Sequence, residues 1–286
     1  MLYCCLCIYL QINQFIIIMI QLNIKDYSKV INPILKIEIN SLFARAVINQ
    51  KVKGQIYVDN AENPQIFYVI HPYGMSLLFG KSDNNEFNNQ FKSYVLNSSG
   101  KRIKDEWMQS YPNEWDSTIK KLFGETEPIV ECHKRTHFKF NKDKFYQNKQ
   151  IFQNDSEVDK IQIRETSSAD FNEMKGTVIP SMFWNNSEDF ITHSIGYSLF
   201  YENKLAAIAF GAYIEKNTLE LGIETCEHYR GKHFAYKVCC ALIDYCLENN
   251  YCPVWACRSG NVGSYQLAQK LGFEAIYENS YYHLKV

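Results

Sequence analysis

One junction limits what this chain can fold into more than any other feature. Glu220-Leu-Gly-Ile-Glu-Thr has the pattern of a strand, Cys226-Glu-His-Tyr is a short polar connection, and Arg230-Gly-Lys-His-Phe-Ala opens a long helix. That helix runs to about Glu248, with Phe234, Val238, Leu242 and Cys246 near one face. A strand feeding a helix through a loop with a cation and a glycine is a physical recipe for holding phosphate. The first N–H groups of a helix have no intrahelical acceptor, point the same way and sit at the positive end of the macrodipole. Small residues let a pyrophosphate approach the backbone. Taken alone, the segment is equally an ordinary strand-to-helix turn with solvated Arg230 and Lys232, because one glycine is a weak signal.

A second element follows in Asn261-Val-Gly-Ser-Tyr-Gln-Leu-Ala-Gln-Lys-Leu-Gly-Phe. Its Asn-x-x-Ser start opens a short amphipathic helix over Ser264–Leu271, and Gly272 closes it as a C-cap. Around these two elements, Ile161-Gln-Ile-Arg alternates as a strand and Ala169–Val178 is helical with Ser168 as N-cap. Ser194–Tyr201, Lys204–Ile214 and Thr218–Thr225 are three strands joined by tight turns. Pro253-Val-Trp-Ala-Cys, Glu274–Tyr277 and Tyr281–Val286 are strands as well. The order from Ile161 onwards is β-α-β-β-β-α-β-α-β-β, which predicts an α/β fold with a mixed, mostly antiparallel sheet flanked by helices.

The first half is also α/β. Leu42, Ala46 and Val47 have helical spacing, Gln55–Asp59 and Gln65–Ile70 form a hairpin pattern, and Met75–Gly80 is a third strand after the His71-Pro-Tyr-Gly turn. Trp107 and Trp115 are expected to anchor a helical piece to this region's core, and Trp184 and Trp255 to be core residues. Residues 139–160 are rich in Lys, Asn, Gln and Asp and suit a linker. The expected division is residues 1–18 as an extension, 19–138 as a smaller α/β domain, 139–160 as the linker and 161–286 as the second domain. No internal repeat is visible in the sequence. The apolar run over Met1–Ile20 is interrupted by Gln11, Asn13 and Gln14 and lacks a basic start and a small-residue cleavage site. It is a poor signal peptide and a poor span, and Met19 is the expected physiological start.

Thirty basic and 31 acidic side chains give a net charge of -1, which argues against a large nucleic-acid footprint. Ten cysteines, clustered in apparent helix and strand interiors, fit reduced core thiols in a cytoplasmic protein with no metal.

In order and spacing, the two elements together resemble the GNAT superfamily of N-acyltransferases. The family's pyrophosphate loop is (Arg/Gln)-x-x-Gly-x-(Gly/Ala), and Arg230, Gly231, Lys232, Phe234 and Ala235 fit that frame. The family's second signature has an Asn, a small residue three on, and a closing Leu-Gly-Phe, as in Asn261, Ser264, Leu271, Gly272 and Phe273. Further segments, including His71-Pro-Tyr-Gly and Glu106-Trp-Met-Gln-Ser-Tyr-Pro, resemble a subfamily with an additional N-terminal α/β region that includes aminopolyol antibiotic N-acetyltransferases. Two departures stand out. His233 occupies the loop's usual glycine, and Ala268 occupies the place where the family often has a tyrosine as general acid.

The resemblance implies direct attack of an amine on acetyl-CoA. The cofactor-binding positions it implies are Ile223, Thr225, Arg230, Gly231, Lys232, His233, Phe234, Ala235, Asn261 and Ser264. It also implies that the strands Leu219–Thr225 and Pro253–Cys257 splay, with a main-chain N–H near Ile223–Thr225 as oxyanion donor. Glu220 and Glu224 lie four apart on one strand and share a face, so either is a candidate general base, with Glu224 nearer the splay. Both are equally compatible with solvent-facing strand positions. The expected partner is a small-molecule amine, with neither nucleic acid nor membrane; a homodimer is compatible. The alternative is a GNAT-fold module that binds acyl-CoA or an amine without turnover. A nucleotide-binding protein is disfavoured because neither GxxxxGK[ST] nor GxGxxG occurs.

Overall fold

Apolar and polar residues alternating along short segments bounded by turn formers produce the strands, and 3.6-residue spacing produces the helices between them. In the computed structural model, residues 19–124, 129–151 and 158–286 are described; the expected extension, with Cys4, Cys5 and Cys7, lies outside them. The strands are β1 (Ile20–Gln21), β2 (Gln55–Val58), β3 (Ile66–Ile70), β4 (Met75–Gly80), β5 (Glu106–Tyr111) and β6 (Val130–Phe140), then β7 (Ile161–Glu165), β8 (Gly196–Tyr201), β9 (Lys204–Glu215), β10 (Thr218–Thr225), β11 (Cys252–Arg258) and β12 (Phe273–Leu284). The helices are α1 (Ile31–Ile34), α2 (Leu42–Ile48), α3 (Asn85–Val95), α4 (Glu114–Phe123), α5 (Lys142–Ile151), α6 (Ser168–Glu173), α7 (Ser187–His193), α8 (Phe234–Glu248) and α9 (Val262–Lys270). The expected fold class is the observed one.

All twelve strands form one sheet, in the order β1-β2-β3-β4-β5-β12-β6-β11-β10-β9-β8-β7. That order is a repeat the sequence did not reveal. Strands β2-β3-β4 form an antiparallel run, then β4 pairs parallel to β5 with α3 between them in the chain. Strands β8-β9-β10 do the same, then β10 pairs parallel to β11 with α8 between them. The two halves exchange their last strands: β6 lies beside β11, and β12 lies beside β5. Strands β6 and β12 then pair with each other antiparallel along eleven residue positions, from Phe273↔Phe140 to Leu284↔Val130.

Three apolar clusters follow from strand alternation. In β4, Met75, Leu77 and Phe79 enter one cluster with α2, β9 and Phe183, while Leu78 enters another beneath α3 and α4. The first cluster takes side chains from both halves. A third lies beneath α8, where Val238, Leu242 and Ile243 meet Leu219 and Trp255.

Several local expectations are corrected. Residues read as linker hold α5, whose Phe145 is fully buried, and Lys149 pairs with Asp244 on α8 at 2.5 Å. Lys- and Asn-rich composition described that helix's exposed side only. Helix α6 ends at Glu173 rather than Val178, and its N-cap is Ser167, which forms a capping box with Asp170. The two final strands are one strand with a bulge between Ala275 and Tyr277. Trp107 sits on strand β5; Trp115, on α4, is fully buried and donates to the Gly80 carbonyl at 3.1 Å. Trp184 and Trp255 are buried, as expected. Among the described residues, Cys239, Cys240, Cys246 and Cys257 are buried, whereas Cys132 and Cys252 are exposed.

Candidate active site

The site begins where two parallel strands part. Strands β10 and β11 pair only at Thr218↔Cys252, Leu219↔Pro253 and Glu220↔Val254. From Trp255 onwards β11 pairs with β6 instead. The β9–β10 register shifts between Glu220 and Leu221, at the point of divergence. The extra residue is Ala212 of β9, and a bulge bends its strand and sharpens the local twist at the level where β10 leaves β11. Beyond it, β10 keeps β9 on one side and presents main-chain groups to a gap on the other.

The loop at the top of the gap has the geometry of an anion cradle. Glu227–Tyr229 form one 3-10 turn, and α8 starts at Phe234, four residues later than the sequence pattern suggested. Gly231 has φ +80° and His233 φ +59°, both left-handed. The His233 side chain makes no capping hydrogen bond, and the first turn of α8 holds no acidic residue. The helix start is therefore electropositive and uncapped by carboxylate or hydroxyl. Arg230 is tied back towards β10: its Nε donates to the Thr225 carbonyl at 3.3 Å and its Nη2 lies 3.5 Å from Glu224 Oε1. Lys232 lies over the Tyr201 ring, 4.6 Å from its centroid. Arg230, Gly231, Lys232 and His233 are exposed; Phe234 is buried against Tyr201, so only its backbone faces the loop.

Glu224 and Glu220 are both buried, which removes the solvent-facing reading for each. Their surroundings differ. Glu224 Oε2 accepts from the N–H groups of Thr177 (2.8 Å) and Val178 (3.0 Å) and from the Thr177 hydroxyl (3.3 Å). Its Oε1 accepts from the Thr225 N–H at 3.2 Å and from Arg230. Gly176, at φ +149°, lets this loop close down: a Cβ there would sit 2.4 Å from Oε2. Glu224 is thus a clamp holding loop 176–178, with its lone pairs engaged.

Glu220 has fewer partners. Asn40 Nδ2 donates to its Oε2 at 2.9 Å, and Arg135 Nη2 lies 3.5 Å from its Oε1. Burial pushes its carboxyl above the ordinary range, against the opposing pull of Arg135 and Asn40. Arg135, on β6, also lies over the Tyr281 ring at 5.2 Å, and its Nε is buried without a partner. Two residues along β6, His137 is held neutral: burial first, then the Arg135 charge, depresses it to about 4. Asn279 spends its amide N–H groups on Gln109 and Ser280, so its Oδ1 accepts from His137 Nε2 at 2.8 Å. Asn40 and His137 both line a cavity of about 610 Å³, together with Glu38, Tyr111, Glu114 and Tyr277.

The remaining sequence candidates divide. Ile223 and Thr225 lie on the free arm of β10, and Thr225 Oγ1 is buried with no partner. Asn261 caps α9, accepting from the Ser264 N–H at 3.1 Å, and Ser264 accepts from Trp255 Nε1 at 3.2 Å. Both therefore have structural work at the base of α9. Ala268, at the position where the family often has a tyrosine, is fully buried. Sequence reasoning missed Asn40, Arg135, His137 and Tyr73. Tyr73 is half-buried, and its phenol is raised by burial and lies within reach of the Arg135 and Glu224 charges. Nothing local marks these four, because they come from the first half of the chain.

A model of the family described as GNAT acetyltransferase matches residues 32–282. The chain belongs to the GNAT acetyltransferase family. This N-acetyltransferase is 25% identical over 243 residues to the uncharacterized N-acetyltransferase YdfB of Bacillus subtilis, covering 84% of this chain and 89% of that one. Its fold is similar to a GCN5-related N-acetyltransferase-like protein from Streptococcus suis, with a TM-score of 0.68 at 16% identity over 92% of this chain and all of the other. It is also similar to a tandem GNAT protein from the clavulanic acid biosynthesis pathway, with a TM-score of 0.59 at 8% identity over 93% and 98% of the two chains. The family implies an acyl-CoA donor, and this GNAT chain fits one. The uncapped α8 start suits pyrophosphate, and the opened β10 edge with its orphaned Thr225 hydroxyl suits a pantetheine arm. Among the described residues, no helix is long and apolar enough to cross a membrane.

Proposed function

We propose that the protein transfers an acetyl group from acetyl-CoA to the primary amine of a small cationic acceptor, with Glu220 as general base. The carrying observation is that the opened β10 edge has an anion cradle at its loop end and a buried carboxylate beside an acid-lined cavity at its vertex. When bound, acetyl-CoA supplies an activated thioester whose sulfur departs as thiolate. Arg230 and the α8 N-terminus hold the diphosphate, and the Ile223 N–H is the main-chain donor for the oxyanion, since Glu224 engages the Thr225 N–H. Glu38 and Glu114 line the acceptor cavity, and none of its lining residues is a lysine or arginine, which favours an ammonium. Glu220 takes the ammonium proton through water held at Asn40, helped by the burial that raises its basicity. Such an acceptor class includes the aminopolyols suggested by the sequence resemblance.

Thiol release from acetyl-CoA across a panel of polyamines, aminopolyols and amino acids tests the reading. Turnover with a cationic amine is expected. Glu220→Gln should lower kcat about 100-fold or more, with acetyl-CoA affinity near normal. Acetyl-CoA binding with no turnover on any amine would favour a non-catalytic binding module, a reading supported by the hydroxyl-free Ala268.

A further inference from the structure

Away from the opened strands, three side chains converge on the sheet where β6 meets β12. Glu131 and His133 are two apart on β6 and so share a face. His283 on β12 is the register partner of Glu131. Glu131 Oε2 lies 3.4 Å from His133 Nε2 and 3.4 Å from His283 Nδ1, and all three atoms fall within 4.8 Å of one another. Zinc bonds to nitrogen and oxygen of about 2.0–2.1 Å, at tetrahedral angles, place ligand atoms about 3.3–3.4 Å apart. The two edges that meet at Glu131 Oε2 have that length.

The surroundings add a second, independent sign. His283 Nε2 lies 2.8 Å from Asp105 Oδ2. A carboxylate beside Nε2, with Nδ1 facing Glu131, is the arrangement that orients metal-bound imidazoles. Lys285 pairs with the other oxygen, Oε1, and leaves Oε2 to the cluster. Trp107 stacks flat on His283, with centroids 4.2 Å apart and 1° between planes, fixing the ring.

We propose that Glu131, His133 and His283 bind one divalent cation of the zinc class, oriented by Asp105, and that the ion clasps the exchanged strands β6 and β12 together. Two imidazoles with one carboxylate select zinc over magnesium or calcium, which prefer all-oxygen sites. No metal was expected from the sequence, because His283 is far along the chain from Glu131 and His133.

The full chain, stripped with chelator, should bind one equivalent of Zn²⁺ by calorimetry and give visible Co²⁺ absorption of tetrahedral type. His133→Ala and His283→Ala should each abolish this, Asp105→Asn should weaken it about 10–100-fold, and Cys132→Ser should leave it unchanged. In the wild-type chain, which avoids any folding defect of a variant, the side-chain ¹⁵N resonances of His133 Nε2 and His283 Nδ1 should shift with one equivalent of Zn²⁺. Unmoved resonances, or binding that persists in the folded double histidine variant, overturns the proposal. Unmoved resonances would leave a proton on His283 Nδ1 as the bridge.

Discussion

The two halves of the molecule run through the same strands in the same order, yet only one of them has opened. In the first half β4 and β5 stay paired along five positions, from Met75↔Trp107 to Phe79↔Tyr111, and the β3–β4 register is unbroken. In the second half β10 and β11 part after three positions, beside a bulge. The helix starts differ in the same sense. Asn84 caps α3 by accepting from the Glu86 and Phe87 N–H groups, and Glu86 places a negative charge in its first turn. Helix α8 has neither. One topology thus appears once closed and once opened, and the halves differ by one extra residue in β9 and one missing helix cap. The first half still contributes to the cleft, because Asn40, Arg135 and His137 come from it.

The largest test of this comparison is to separate the halves. Strand β6 lies between β12 and β11, so residues 161–286 alone lack the central strand of their own sheet. We expect that fragment not to fold cooperatively, and co-expression with residues 19–160 to restore an ordered complex, monitored by circular dichroism and urea titration. A sharp unfolding transition of the isolated fragment would show that the strand exchange is not essential.

The next test contrasts the two helix starts. Arg230→Glu should weaken acetyl-CoA binding about 100-fold, through lost attraction and added repulsion at the phosphates and beside Glu224. Lys81→Glu, in the corresponding connection before α3, should leave affinity unchanged. Equal losses by calorimetry would erase the functional distinction between the halves.

How much of this was legible depended on distance along the chain. The junction from Glu220 to Ala235 was readable because strand, turn and helix are consecutive there, and propensity and capping act locally. The divergence of β10 from β11 was expected only through the family resemblance, and the bulge beside it has no local signature. The repeat was invisible because the halves share strand order but not residues. Glu220 and Glu224 looked alike as two glutamates on one strand face. They became a candidate base and a loop clamp only through Asn40 and Arg135 in one case and Gly176–Val178 in the other. Residues 142–151 have a linker's composition because a helix that buries Phe145 and carries many polar residues reads as a loop.

A smaller effect should appear in the pH dependence of stability. His137 in β6 and His71 after β3 are both kept neutral by burial, with Arg135 and Lys104 respectively as the second cause, at about 4 and about 3. Their folded values lie below the unfolded value of 6.5, so the unfolded chain takes up protons first as pH falls. The stability they contribute is present above about pH 6.5 and is lost on descending through pH 4 and then pH 3. For His137 the loss is on the order of 3 kcal/mol, at about 1.4 kcal/mol per unit. Urea midpoints measured from pH 7 to pH 4 should fall, and His137→Gln should flatten the fall. An unchanged slope in that variant would mean that the imidazole between the halves is not a source of acid lability.

The smallest expected effect concerns the single residue that departs from the family's loop. His233 holds φ +59°, where a side chain costs about 1 kcal/mol, whereas Asn84 at the matching start of α3 has φ -88° and carries no such cost. His233→Gly should therefore raise stability by roughly 1 kcal/mol, less the entropy gained by the unfolded chain. Asn84→Gly should lower it by a few tenths of a kcal/mol, because it removes a cap and relieves nothing. Acetyl-CoA affinity separates two explanations for the histidine. If its side chain only narrows the approach to the helix start, glycine should bind the donor at least as well as the wild type. A clear loss of affinity would mean that the imidazole itself meets the phosphates, and the cradle would then rest on a side chain as well as on the backbone of α8.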